Sequence, residues 1–174
     1  FIYPGAGYFK LWTNIANSVA SPFSIDTAKI ITSYFSLIAY LIIFIYIFFS
    51  KSLLFLNVKH KIFAVFVVLF SPVMTPEIWM GSAHTREYFG IFAFILLFYD
   101  SKNENFLNKF TCNILIIISF LSSVWAIVLT PIYFMKFYFY KNKENFIFFI
   151  SSFISSLIHP IIIIYTYFLN PIST

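Results

Sequence analysis

Two uncharged apolar runs constrain this chain more than any other feature. Ile30 to Ser50 contains 21 residues without an ionisable charge, and Phe146 to Phe168 is a second such run that His159-Pro160 interrupts. A helix that crosses a lipid bilayer needs about 20 predominantly apolar residues, within a range of about 17–25. Each run therefore predicts a membrane span.

The composition extends this prediction to the whole chain. Of the 174 residues, 61% are hydrophobic and 10% are charged, whereas soluble domains have about 45–50% apolar and about 25% charged residues. A water-soluble globule, a disordered chain and a coiled coil are therefore excluded. With only four Gly and seven Pro, no flexible linker divides the chain, so we expect one transmembrane domain over residues 1–174 with an all-α, polytopic helical bundle fold.

The charges do not indicate nucleic acid or a metal ion. The net charge is +5, but the cations stand singly between apolar segments, and nucleic-acid binding requires them on one surface. Cys112 is the single cysteine, which excludes a disulfide framework. No paired-histidine metal spacing, glycine-rich phosphate loop or nucleophile elbow occurs, so no cofactor is predicted, and membrane lipid is the expected partner.

The number of spans depends on the run from Phe110 to Met135. As one long tilted helix over 106–140, this run gives five spans in total. As a hairpin that turns at Ser122-Ser123, it gives six. The six predicted spans are 30–50, 60–76, 87–101, 106–121, 124–140 and 146–168.

Charge placement favours the hairpin. Lys and Arg in short loops stay on the cytoplasmic side of a membrane. With six spans, the loops 51–61, 102–109 and 136–143 share one side and place eight cations inside against three outside; five spans divide them five against six. We therefore favour six spans, an integral location in a bacterial inner membrane and an outer N-terminus, and keep five spans as the alternative.

The first 29 residues are then expected outside the membrane, as is the tail 169–174. From Tyr8 to Ala20, apolar residues recur at helical spacing, with Pro22 as the stop. This pattern predicts an amphipathic helix in the outer interface. Lys10 on that helix is a candidate contact for lipid phosphate, although the favoured interpretation is that its charged end reaches water along the polar face. Because the chain begins at Phe1, we expect it to be a fragment.

One connection carries most of the candidate chemistry. The segment 76–87 reads PEIWMGSAHTRE and contains Glu77, Trp79, His84, Arg86 and Glu87. Ionisable residues near membrane depth indicate function. Arginine binds phosphate with two parallel hydrogen bonds, and histidine changes charge near neutral pH. The alternative is a solvated loop in which Arg86 pairs with Glu77 or Glu87 and Trp79 is an interface anchor. For His159 we expect a structural hydrogen bond near the Pro160 kink, and no catalytic role.

The order of these features resembles the GT-C superfamily of polytopic membrane glycosyltransferases. The residues that carry the resemblance are PGAGYF near the N-terminus, SPVMTPEIWMGSAHTREYFGI around Pro76-Glu77, and the hairpin sequence LSSVWAIVLTPIYF with Ser122-Ser123 and Pro131. The resemblance implies transfer of a sugar from a polyprenyl-phosphate donor at the outer face. Taken with the segment 76–87, we expect catalytic roles for Glu77 and His84, and substrate contacts for Arg86, Glu87, Trp79 and Lys10.

The resemblance also implies an acidic catalytic loop that residues 1–174 do not contain. In such enzymes this loop follows the first helix, and Asp26 is poorly placed to replace it. We therefore expect the loop upstream of Phe1, with this chain forming part of a larger active site. The alternative is a non-enzymatic integral membrane protein, either a transporter fragment or a structural subunit, in which 76–87 is a gate or a packing turn.

Overall fold

The computed structural model of the protein describes residues 9–49, 52–55, 57–70, 85–102 and 104–169. Within these ranges every regular element is helical, which confirms the all-α prediction. Seven α-helices and one 3₁₀ helix follow one another as α1 (Leu11–Ala20), α2 (Ile25–Phe49), α3 (Val58–Phe70), α4 (Thr85–Leu97), α5 (Phe106–Ser122), the 3₁₀ helix (Val124–Leu129), α6 (Thr130–Tyr140) and α7 (Lys143–Leu169).

Two of these helices are long and apolar enough to cross a membrane, namely α2 and the Lys143–Tyr165 part of α7. The stretches Phe106–Ser122 and Val124–Tyr140 are apolar but shorter. Helices α3 and α4 have 13 residues each, which at 1.5 Å per residue is about 20 Å. By helix length alone, the described structure supports two spans and does not establish the six-span bundle.

The long run near Ser122-Ser123 is broken, as the hairpin predicts. Helix α5 ends at Ser122, and Ser123 has extended backbone angles, φ −128° and ψ 115°. The 3₁₀ helix follows, and α6 begins at Thr130 with Pro131 in its first turn, where a missing N–H is tolerated. A single helix over 106–140, on which the five-span alternative depends, is therefore wrong.

Lysine side chains connect several helix ends at one end of the molecule. We call this end, which contains Lys61 and Lys109, the lysine end. Lys61 at the start of α3 donates to the carbonyl of Phe48 at the end of α2, with Nζ and O 2.7 Å apart. Lys109 near the start of α5 pairs with Glu144 at the start of α7 at 2.7 Å. A single antiparallel bridge joins Ser52 to Tyr99 in the described part of the chain. Charged residues thus lie where helices end.

The core lies where α4 packs against α5 and the 3₁₀ helix, and where α7 packs against α5 and α6. Its largest fully buried side chains include Phe89, Phe92, Leu96, Phe120 and Tyr133. The Tyr133 hydroxyl donates to the carbonyl of Ala93, 2.8 Å away. In contrast, α2 exposes large apolar side chains along its length, from Ile30 (57%) to Phe49 (81%). Such a surface is suited to contact with lipid.

Two further predictions are decided by the helices themselves. The region predicted as the span 146–168 is helical throughout, because α7 continues through Pro160 as one helix of 27 residues. The expected N-terminal helix is present as α1, and it ends before Pro22. It folds back along α2, with Trp12 Nε1 donating to the carbonyl of Phe35 at 3.0 Å. Its Ala16 and Ala20 are buried, whereas Ile15 and Val19 are exposed.

Candidate functional site

The predicted site residues divide into two groups. Glu77, Trp79 and His84 lie outside the described residues. Arg86, Glu87 and Lys10 are described, and they lie on elements that meet at the end of the bundle opposite the lysine end. The first two occupy the first turn of α4, and Lys10 immediately precedes α1.

Arg86 and Glu87 form an ion pair. Arg86 Nε donates to Glu87 Oε1 at 2.7 Å, and the two side chains are 28% and 41% exposed. Pairing of Arg86 with a neighbouring carboxylate is therefore what the structure shows, as one alternative expected. A partly exposed pair of this kind stabilises a fold by only about 0–1 kcal/mol. Glu87 also lies in the first turn of α4, where the helix dipole favours a negative charge.

Tight packing fixes the beginning of α4. The ring of Phe89 lies 5.4 Å from the indole of Trp12, and the ring of Tyr88 lies 4.6 Å from that of Tyr40. Trp12 also donates its backbone N–H to Ser122 Oγ at 3.3 Å. Trp12 thereby joins α1 to α2, α4 and α5. Arg86 and Lys10 are each within three residues of this aromatic contact, which places their elements side by side.

Gly90 allows the closest approach in this region. A β-carbon on Gly90 would lie 2.9 Å from Ser123 Oγ and 3.7 Å from the β-carbon of Trp125. A real β-carbon does not tolerate the first of these distances without a shift of its neighbour. The absence of a side chain at this position therefore lets α4 pack directly against the turn between α5 and the 3₁₀ helix.

A buried polar contact lies near the end of α5. The sequence predicted its hydrogen bond but did not indicate which helix provides the partner. His159 is fully buried, and its Nε2 is 2.7 Å from the carbonyl oxygen of Phe120 in α5. The predicted structural hydrogen bond of His159 is thus present, but its partner belongs to another helix. Thr130 and Ser156 share a second hydrogen bond of 2.7 Å between their hydroxyl oxygens. These contacts connect α7 to α5 and α6.

A cavity of about 600 Å³ opens at the lysine end between α2 and α5, and sequence reasoning missed it. Its polar lining comes from Glu104, Asn105, Asn108 and Thr111, which follow one another in the segment 104–111. The available signal was the concentration of polar residues in the sequence NENFLNKFT, which leads into the first turns of α5. We call this space the α2–α5 cavity.

The described residues contain no group of three His, Cys, Asp or Glu side chains that could hold a metal ion. Comparison with family models, with curated proteins and with solved structures finds no match to this chain.

Proposed function

We propose that this chain is part of an integral membrane glycosyltransferase that takes a sugar from a polyprenyl-phosphate donor at the outer face. In this proposal α2, α3, α4, α5, the 3₁₀ helix with α6, and α7 form six spans. The short α3 and α4 are shielded by neighbouring helices or by a locally thinner bilayer. The lysine end faces the cytoplasm of a bacterial cell, because lysine-bearing short loops remain on that side.

The observation that carries the proposal is the position of Arg86. It lies in the first turn of α4, about 20 Å from the lysine end by the length of that 13-residue helix. The start of this helix packs through Phe89 against Trp12. A cation fixed at the outer end of an apolar bundle is suited to hold the phosphate of a lipid whose chain lies in the membrane.

The proposed chemistry is an inverting transfer. A carboxylate of the complete active site removes a proton from the acceptor hydroxyl, whose oxygen attacks the anomeric carbon of the sugar, and Glu77 lines the cavity for donor and acceptor. The bond from that carbon to the phosphate oxygen breaks, and the lipid phosphate leaves. Arg86 and Lys10 stabilise the negative charge on the leaving phosphate, and Glu87 orients Arg86 through their ion pair. His84 lines the cavity for donor and acceptor, and Trp79 contacts the substrate.

The test is sugar transfer by membranes that contain the full-length parent protein, with a radiolabelled polyprenyl-phosphate sugar as donor. We expect Glu77→Gln and Arg86→Ala to abolish transfer while the protein still inserts and remains monodisperse in detergent. Lys102→Ala is the matched control, because it removes an exposed cation at the lysine end and should leave transfer unchanged. Full activity of both site variants would refute the site, and no transfer by the parent protein would favour the non-enzymatic alternative.

A further inference from the structure

Another cavity at the lysine end lies between α6, the end of α4 and the start of α7, and we call it the α6–α7 cavity. Its volume of about 450 Å³ is within the range of about 300–1,000 Å³ that small-ligand sites occupy. Its apolar wall includes Ile132, Met135 and Phe139, whose spacing places them on one face of α6. These three residues are between 40% and 70% exposed. The cavity therefore opens onto an apolar surface that is suited to contact with lipid.

Lys136 supplies a cation inside this cavity. Its side chain is partly buried, and Nζ donates to the carbonyl oxygens of Leu97 and Tyr99. An ammonium group has three N–H donors, so these two contacts leave one donor for a ligand. Both carbonyl partners are uncharged, and Lys136 takes part in no ion pair within the described part of the chain. Because a partly buried charge is unfavourable without a counter-charge, an anion in the cavity would be stabilised.

Asn145 in the first turn of α7 provides an independent indication of a ligand. The residue lines the cavity although it is only 4% exposed. Its backbone N–H donates to Asn142 Oδ1 at 2.7 Å, and its side-chain amide has no hydrogen bond to the described residues. A polar group with so little access to water is unfavourable unless it is hydrogen-bonded. Its position in the first turn of a helix also favours a negative charge nearby.

The remaining charges at the cavity oppose each other. Asp100 and Lys102 both line the space, and Asp100 Oδ1 accepts the backbone N–H of Lys102 at 3.0 Å. Together with Lys136, the lining residues carry two positive charges and one negative charge, which leaves a net charge of +1. A ligand group with a single negative charge matches this arrangement.

We infer that the α6–α7 cavity binds an acidic phospholipid of the phosphatidylglycerol type through its phosphate group. The phosphate oxygens accept hydrogen bonds from the third N–H of Lys136, the amide nitrogen of Asn145 and the hydroxyl of Ser101, which is 5% exposed and lines the same space. A hydroxyl of the head group donates to the amide oxygen of Asn145. One acyl chain lies along Met135 and Ile132, away from the lysine end. Basic pockets between helices on the cytoplasmic side of a membrane bind acidic lipid head groups in this way.

This inference rests on a membrane location and not on glycosyl transfer, so the two proposals fail separately. The experiment measures lipid binding to the purified protein by native mass spectrometry. It compares phosphatidylglycerol with phosphatidylethanolamine and phosphatidylcholine that have identical acyl chains. We expect phosphatidylglycerol to bind at least about fivefold more tightly, which is the effect of one lysine on an acidic lipid. In the other two lipids, an ammonium in the head group already compensates the phosphate charge.

Four variants locate the binding in the cavity. Lys136→Met and Asn145→Leu keep much of the side-chain volume, and they should weaken phosphatidylglycerol binding by about fivefold and about threefold, respectively. Asp100→Asn should strengthen binding about twofold or more, because it removes a negative charge beside the phosphate. Lys59→Met is the matched control. It removes an exposed cation at the same end of the molecule but outside the cavity, and its binding should equal that of the parent.

Equal binding of the three lipids, unchanged binding by Asn145→Leu, or no gain with Asp100→Asn would overturn the assignment. Equally tight binding of glycerol 3-phosphate, which has no acyl chains, would overturn it too, because the site would then take a soluble phosphate. If Lys136→Met does not fold, as judged by size-exclusion chromatography, Asn145→Leu and Asp100→Asn decide the question.

Discussion

The imidazole of His159 in α7 binds the carbonyl oxygen of Phe120 two residues before α5 ends. The distance from Nε2 to that oxygen is 2.7 Å, and both residues are completely buried. The last four carbonyls of an α-helix have no partner within the helix. His159 therefore satisfies an acceptor that would otherwise be buried and unpaired at the turn between α5 and the 3₁₀ helix.

Replacing His159 should destabilise the protein strongly. We expect His159→Phe, which keeps a ring but loses the donor, to lower the free energy of unfolding by about 1–3 kcal/mol, because the Phe120 carbonyl stays buried without a partner. Thermal unfolding in detergent, followed by circular dichroism, measures the effect. His60→Phe changes an exposed histidine on α3 and serves as the control. Equal stability of His159→Phe and the parent would show that the hydrogen bond contributes nothing.

Gly90 and Ser123 should be energetically coupled. Gly90→Ala places a methyl group only 2.9 Å from Ser123 Oγ, and overpacking of this kind costs about 1–3 kcal/mol. Ser123→Ala removes the oxygen that clashes, so the double variant should recover most of the loss. A double-mutant cycle on unfolding free energies measures the coupling. Additive losses, with no recovery, would contradict the contact.

Lys136 should stabilise the end of α4. Its Nζ lies 2.6 Å from the carbonyl oxygen of Leu97 and 3.0 Å from that of Tyr99, which are positions where a helix favours a cation. Lys136→Met keeps the aliphatic chain and removes both hydrogen bonds, so we expect a loss of about 1.5–3 kcal/mol in unfolding free energy. Lys102→Met, at an exposed position, should change stability by less than about 0.5 kcal/mol.

The six-span proposal has a direct test of sidedness. Single cysteines replace Trp125, which is 65% exposed beside the turn, and Lys143, which lies at the start of α7, in a Cys112→Ser background. With six spans, a membrane-impermeant maleimide should label position 125 in intact cells and position 143 only after permeabilisation. Labelling of position 143 from outside would exclude this topology.

Much of the local structure follows from the order of residues. Apolar runs specify helices because backbone hydrogen bonds must be satisfied within an apolar environment. Pro22 follows the end of α1, and Pro131 lies in the first turn of α6. Both positions follow from proline itself, because it has no backbone N–H to donate and its ring fixes φ. Even the turn at Ser122-Ser123 was predictable, because lysine placement favoured a hairpin. Pro160 does not end α7, since packing against neighbouring helices can keep the segment helical without the hydrogen bond that proline removes.

The sequence by itself determined a helical, lipid-compatible chain and the position of its turns, because apolar length, charge and proline act locally. The partners of individual polar groups were decided only by the tertiary structure. His159 could have bonded within α7, and it bonds α5. Glu77 and Glu87 were both candidate partners for Arg86, and among the described residues Arg86 pairs with Glu87. The α2–α5 cavity depends on which helices pack together, and side chains distant in sequence meet there only after that packing is complete.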